Sequence, residues 1–267
     1  MISIKNYEKP KSIEEAYQLL KQNKKTTLIG GGAFLKLGSK QISTAIDLSE
    51  AGLNYIKESD DQITIGAMTT FHEVETNPII TSYCSGMLSE SVKDIVGIQM
   101  RNMVTVGATV YSRYGFSDLI TALLALNADV KLYKGGQISL EAFLENGSEE
   151  SDILEEVILT KVNCIGAFKS MRKSRADYAV LNLGVTKTDK KIRISVGARP
   201  NRAILANKAM KHLEEKGIDS NSIEIASQLI SDELVFGSNM RASAEYRESI
   251  APVLFKRALE EVLNHED

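Results

Sequence analysis

The chain has 267 residues, with 32 Lys+Arg against 35 Asp+Glu for a net charge of −3, and it is 43% hydrophobic and 25% charged. That composition is globular and excludes a collagen-like, fibrous or largely disordered chain. No block of like charge supplies a polybasic arm, so nucleic acid is not an expected partner; no apolar run approaches the ~20 residues that cross a bilayer and the N-terminus is too polar for a secretory signal, so a cytoplasmic protein is expected.

Ser12, Glu15 three residues later and apolar residues at helical spacing predict a capped amphipathic helix. A β-prone run over Thr26–Ile29 ends in Gly30, Gly31 and Gly32, after which residues 33–37 read as the start of a helical turn. Further short strands are expected over residues 43–48 and 62–67, and a helix capped by Thr69 or Thr70 follows. Residues 119–127 are apolar almost all round a helix and precede a β-rich run, which predicts a buried helix feeding a strand. Residues 1–160 thus form one expected α+β unit, and the acidic, turn-rich stretch at 147–152 is the best boundary. Beyond it, strands are expected within 156–162, 166–171, 178–185 and 191–197, and helices over 207–215, 223–230 and 247–263. A strand meander with helices on one face is the natural architecture for residues 161–267.

The glycine cluster suits an anion, because glycines let the backbone approach closely and aim N–H groups at phosphate oxygens. It matches neither the P-loop nor the dinucleotide-binding spacing, and a tight strand–helix connection accounts for it equally well. A second segment, residues 99–110, again puts a small-residue turn after a β-prone run and adds the hydroxyls of Thr105 and Thr109. Two such loops could grip a pyrophosphate from opposite sides. Asp118, after Ser117, suits either an N-cap or a hydrogen bond to ligand hydroxyls. Cys84 and Cys164 are too far apart in sequence to form a disulfide framework and lack zinc or iron–sulfur spacing, and His72, His212 and His265 lack metal-ligand spacing, so no metal site is expected. No Ser-His-Asp or Cys-His arrangement stands out.

Several motifs recur in family order: Gly30 to Leu35, Gln99 to Thr109, Ser117 to Ala128, Ile65 to Thr70, Phe168 to Val180, and Ala242 to Arg247. On these the chain resembles the FAD-binding, or medium, subunit of the molybdenum hydroxylases, the group that includes xanthine dehydrogenase and carbon monoxide dehydrogenase. The resemblance covers nearly the whole chain. It implies an α+β fold, with a two-lobed FAD-binding unit of the vanillyl-alcohol-oxidase type followed by an antiparallel sheet with helices on one face. Leu28, Ile29, Gly30, Gly31, Gly32, Ala33, Phe34 and Leu35, with Thr105, Gly107, Thr109, Val110 and Ser112, would hold the FAD diphosphate and ribityl region. Asp118 would bond FAD hydroxyls, and Leu154 and Lys169 would lie near the isoalloxazine ring, where a cation favours the reduced, anionic flavin. A surface ion-pair cluster is the alternative role for Arg172, Arg175 and Asp177, and it is the preferred one for Arg175.

The implied partners are a molybdenum-cofactor large subunit and a [2Fe-2S] small subunit, with electrons leaving through FAD to NAD+ or another acceptor. Ala33 and Phe34 stand where the family has threonine and a polar residue, Ala108 and Thr109 where it has glycine and asparagine, and Ile95 where some relatives stack an aromatic ring. Those departures support a second reading, a non-catalytic interaction subunit of such a complex that has lost tight FAD binding. A self-sufficient flavin oxidase is a third, with no substrate-side acid–base residues to favour it.

Overall fold

The computed structural model describes residues 2–22, 25–35 and 38–265; Lys36 and Leu37, at the end of the expected turn after the glycines, lie outside the described residues. The chain opens with β1 (Ser3–Glu8), α1 (Ile13–Gln22), β2 (Thr26–Ile29), β3 (Gln41–Asp47), β4 (Ile56–Glu58), β5 (Gln62–Gly66) and α2 (Phe71–Thr76). Short helices α3 (Pro78–Ser82), α4 (Met87–Val92), α5 (Ile98–Arg101) and α6 (Val106–Tyr111) lead to α7 (Asp118–Ala125). Then come β6 (Asp129–Leu132), β7 (Gly136–Ser139), α8 (Leu140–Asn146), β8 (Leu154–Thr160), β9 (Ile165–Met171), β10 (Leu181–Lys187), β11 (Ile192–Gly197) and β12 (Ile204–Leu205). Helices α9 (Asn207–Lys216), α10 (Ser220–Glu233) and α11 (Ala244–Asn264) close the chain.

Local chemistry explains many of these boundaries. Ser12 Oγ accepts from the Glu15 N–H at 3.1 Å, and the Glu15 carboxylate accepts from the Lys11 N–H at 2.7 Å, which satisfies donors at the start of α1. At α2 the cap is Thr70: its Oγ1 accepts from the Glu73 N–H at 3.2 Å and the Glu73 carboxylate accepts from the Thr70 N–H at 2.7 Å. Residues 99–110 depart from the expected strand and turn. They form α5, a short extended link and α6, whose N-cap Thr105 pairs with Thr70 in an isolated antiparallel bridge.

The chain divides into two compact units, the first from residues up to 74, 97–112 and 128–160, the second from 75–96, 113–127 and 161 onward. Two segments of the first 160 residues therefore belong with the C-terminal residues. The physical reason is helix α7, which is buried along its whole length and needs cover on every side.

In the first unit, β1, β3 and β2 form a parallel sheet in the order β1-β3-β2, and an antiparallel sheet runs β4-β5-β8-β6-β7. The second unit is built on the antiparallel meander β12-β11-β10-β9. On one face, Leu181, Leu183 and Val185 of β10 pack in a common core with Ala226, Ile230, Phe255 and Leu259 from α10 and α11. Alternate residues face the other way: Thr186 Oγ1 donates to the Ala125 carbonyl at 2.7 Å, Ser195 Oγ to the Thr121 carbonyl at 2.7 Å, and Thr121 Oγ1 to Asn182 Oδ1 at 2.9 Å. The C-terminal helices thus occupy one face, and α7 covers the opposite one. Gly184 permits this approach, since a Cβ there would lie 2.5 Å from Met87 Cε and 3.1 Å from Ala125 Cβ. Among the described residues no helix is long and apolar enough to cross a membrane.

Candidate cofactor site

A narrow cleft of about 110 Å³ lies in the first unit, where the end of β2 meets α6. Of the expected residues, Leu28, Gly30, Gly107, Ser112 and Leu154 line it. Leu48, Ala67, Met68, Ala108, Tyr111 and Ile153 line it as well. Ala67 and Met68 fall in a stretch that already resembled the family, and that was the available signal for them. Ile29, Gly31, Gly32, Ala33, Phe34 and Leu35 do not line the cleft, nor do Thr105, Thr109 and Val110, which are buried. The latter three sit on the inner side of the α6 turn, where they hold it in place.

The glycines lock the two expected loops together. A Cβ on Gly31 would lie 1.2 Å from the Met103 carbonyl oxygen, and one on Gly30 would lie 2.5 Å from Thr105 Oγ1 and 2.9 Å from Ala108 Cβ. Gly107 is equally confined, since its Cβ would fall 2.5 Å from Ala67 Cβ. Gly32 differs: a Cβ there would meet only Ile29 Cγ2, at 3.8 Å, but its φ of +68° is in the left-handed region that favours glycine.

Backbone donors divide unequally between the loops. At the start of α6, the Val106 N–H donates to the Thr69 carbonyl at 2.9 Å, the Gly107 N–H to the Ala67 carbonyl at 2.8 Å and the Ala108 N–H to Thr105 Oγ1 at 3.4 Å. The first turn of this helix is therefore satisfied within the protein. Among the described residues, the N–H groups of Gly31, Gly32 and Ala33 donate to no protein acceptor. The first loop keeps the free donors, and the second loop is the platform that holds it. That donor set suits a diphosphate, which accepts backbone N–H bonds without needing a side-chain cation. The loss of side-chain donors at Ala33 and Phe34 leaves it intact.

Tyr111 anchors the wall beside Leu154. Its hydroxyl lies 3.1 Å from Ser148 Oγ and accepts from the Asp152 N–H at 3.4 Å, while the Asp152 carboxylate accepts from the Gly135 and Ile153 N–H groups at 2.8 Å.

Asp118 and Lys169 belong to the second unit. The cap of α7 is Ser117, whose Oγ accepts from the Ile120 N–H at 3.2 Å, so Asp118 is the first helical residue and not the N-cap. Its buried carboxylate accepts from Arg172 Nη2 at 2.7 Å and from Asn182 Nδ2 at 2.6 Å. Burial pushes the Asp118 carboxyl above the usual carboxylate range, against the opposing pull of the Arg172 charge and the two hydrogen bonds. Arg172 also donates to the Asp177 carbonyl at 2.6 Å, and its side chain is 10% exposed, so it is not part of a surface cluster. Arg175 does form a surface pair, 86% exposed, with Asp94 at 2.8 Å. Lys169 on β9 forms an ion pair with Glu261 on α11, the two side chains being 29% and 39% exposed, so much of its charge is compensated.

The family described as the FAD binding domain in molybdopterin dehydrogenase matches residues 2–163, and the CO dehydrogenase flavoprotein C-terminal domain matches residues 166–262. The chain belongs to this flavoprotein family. Its cofactor is FAD. Relatives include the glyceraldehyde dehydrogenase medium chain of Sulfolobus acidocaldarius, 25% identical over 96% of this chain and 98% of the relative. The carbon monoxide dehydrogenase medium chain of Afipia carboxidovorans is 26% identical over 96% and 95% of the two chains. The fold matches that of a chain in the crystal structure of quinoline 2-oxidoreductase from Pseudomonas putida 86, with a TM-score of 0.88 over 97% of each chain at 22% identity. These relatives place the protein among oxidoreductase subunits of molybdenum hydroxylase-type complexes.

Proposed function

We propose that this chain is the FAD-carrying electron-transfer subunit of a cytoplasmic, xanthine dehydrogenase-like molybdenum hydroxylase complex. Its partners are a large subunit with the molybdenum cofactor and a small subunit with [2Fe-2S] clusters, and NAD+ or another acceptor takes the electrons. Bound FAD supplies the redox chemistry, and the chain supplies orientation and electrostatics. The observation that carries the reading is the first loop, held against the Met103–Thr105 segment, with N–H groups at Gly31, Gly32 and Ala33 that find no acceptor among the described residues. We assign the diphosphate to those N–H groups and the adjoining part of the cofactor to the cleft lined by Leu28, Gly30, Gly107, Ser112 and Leu154; hydroxyl and ring contacts at Asp118 and Lys169 are what the family resemblance implies.

The test is reconstitution of the purified chain with excess FAD, followed by the flavin absorbance spectrum and the thermal midpoint. Non-covalent binding predicts a bound flavin spectrum, a raised midpoint and release of FAD on mild denaturation. Folded protein that shows none of these would replace this reading with the interaction subunit. Copurification from the native source, with metal and flavin analysis, tests the partners.

A further inference from the structure

Cys84 and Cys164, remote in sequence, meet in the second unit. Their thiols interact with each other, and the Tyr83 hydroxyl interacts with the Cys164 sulfur. Cys84 is buried, whereas Cys164 is partly exposed in the segment of residues 161–164 that leads into β9.

The backbone is shaped to make this meeting. Cys84 (φ 49°, ψ 52°) and Ser85 (φ 54°, ψ 27°) are both left-handed, and Gly86 continues the turn at φ 68°. Side-chain-bearing residues avoid this conformation, and two in succession persist only where surrounding packing holds them. The turn presses Cys84 against β9 at a position without a side chain: a Cβ on Gly166 would lie 2.9 Å from Cys84 Sγ and 3.1 Å from the Cys84 carbonyl oxygen. Cys164 stands two residues before Gly166, so Cys84 Sγ, seated at Gly166, lies beside the segment that carries Cys164.

We propose that Cys164 and Cys84 form a peroxide-reactive dithiol, in which Cys164 meets the oxidant and Cys84 resolves it to an intrachain disulfide. The two thiols are chemically unlike. The interaction with Cys84, joined by that with Tyr83, holds the Cys164 thiol below its ordinary range against the effect of burial. The same interaction, together with burial, pushes the Cys84 thiol up. The thiolate therefore forms on the accessible sulfur, and the proton stays on the inner one.

The Cys164 thiolate attacks one oxygen of hydrogen peroxide or an alkyl hydroperoxide, the O–O bond breaks, and the departing hydroxide or alkoxide takes up from solvent the proton that Cys164 released on ionising, leaving as water or the alcohol with a sulfenic acid on Cys164. Cys84 sulfur then displaces the hydroxyl group, which departs as water when the Cys84 proton is transferred to it, and the S–S bond forms. Two thiols lose two electrons and two protons, and hydrogen peroxide becomes two waters. This proposal does not depend on the cofactor assignment.

The experiment treats the reduced full chain with hydrogen peroxide and follows intact mass, peptide maps without reductant and free thiols. The expected product is monomeric, lighter by about 2 Da for the two hydrogens lost, carries a linked Cys84–Cys164 peptide and is restored by dithiothreitol. Cys84→Ser should stop with oxygen retained on Cys164. Cys164→Ser should consume its remaining thiol at least ~10-fold more slowly than Cys84→Ser does, as expected for a buried, protonated thiol. Gly166→Ala, which displaces the Cys84 sulfur, should slow disulfide closure without slowing the first oxidation. Wild-type protein with native circular dichroism that gains oxygen without losing hydrogen, that dimerises through disulfides, or that does not react would overturn the proposal. Equal thiol-loss rates in the two folded single variants would overturn the assigned roles.

Discussion

Gly31→Ala separates the two jobs that a glycine can do in the first loop. The new Cβ would stand 1.2 Å from the Met103 carbonyl oxygen, which is backbone and cannot rotate aside. Restoring a tolerable separation of roughly 3.2 Å requires the loops to part by about 2 Å. A hydrogen bond does not survive a 2 Å displacement of its donor. If two of the three N–H groups at Gly31, Gly32 and Ala33 lose a charged phosphate oxygen at about 1.5–3 kcal/mol each, the loss is about 3–6 kcal/mol, or roughly 10²–10⁴-fold in Kd. Gly32→Ala is the control from the same loop. Its Cβ meets nothing nearer than 3.8 Å, and its cost is the left-handed backbone at φ +68°, about 1–2 kcal/mol, charged mainly to stability. FAD affinity of that variant should stay within about tenfold of wild type. Both variants are titrated with FAD by flavin fluorescence or calorimetry, with circular dichroism to confirm folding. A folded Gly31→Ala protein that binds FAD as wild type does, or a Gly32→Ala protein that binds more weakly than Gly31→Ala, would refute the division of labour between the loops.

Arg172→Met removes the cation from buried Asp118 and should destabilise the chain by about 3–5 kcal/mol near neutral pH, read from urea unfolding. Because the folded pKa of Asp118 is raised above its unfolded value of about 3.9, its contribution is fully present below that pH and is lost as pH rises through the folded pKa; removing Arg172 raises the folded pKa further, so the deficit of the variant should grow from acid to neutral pH, and a deficit constant with pH counts against the assignment. Arg247, fully buried in α11, donates to the Val180 carbonyl at 2.8 Å, the Gly237 carbonyl at 2.6 Å, the Ala242 carbonyl at 2.7 Å and Asn239 Oδ1 at 2.7 Å. Arg247→Met should cost about 3–5 kcal/mol in the same assay, and a loss under about 1 kcal/mol would show that water or other donors replace it. With FAD bound, Lys169→Met should lower the flavin midpoint potential and Glu261→Gln, which releases the Lys169 charge, should raise it; shifts of the same sign in both variants would detach Lys169 from the flavin.

Local pattern was enough for elements whose instructions lie within a few residues. The strand before the glycines, a threonine-capped α2, the all-apolar α7 and the C-terminal helices α9 to α11 are all legible this way, because caps and periodicity act over one or two turns; the choice of Thr70 over Thr69 as the cap came from the structure. The resemblance carried by the two loops likewise reached the cofactor. It did not assign the roles within them, since Thr105, Thr109 and Val110 proved to be the buried side of α6 and the unpaired N–H groups fell to Gly31, Gly32 and Ala33. Helix α6 itself, Val-Gly-Ala-Thr-Val-Tyr, has only Ala108 as a strong helix former and exists through its Thr105 cap and the hydrogen bonds to Ala67 and Thr69. Partners remote in sequence were settled only by packing: Asp118 with Arg172 and Asn182, Cys84 with Cys164, Lys169 with Glu261, and α7 on the small polar face of β10 and β11. Each depends on which strand lies beside which and in what register, and a one-residue slip would turn Asn182 and Thr186 from α7 toward the opposite core. The sequence therefore determined the elements and the cofactor class of this protein, while tertiary packing decided which groups remain free to meet a ligand.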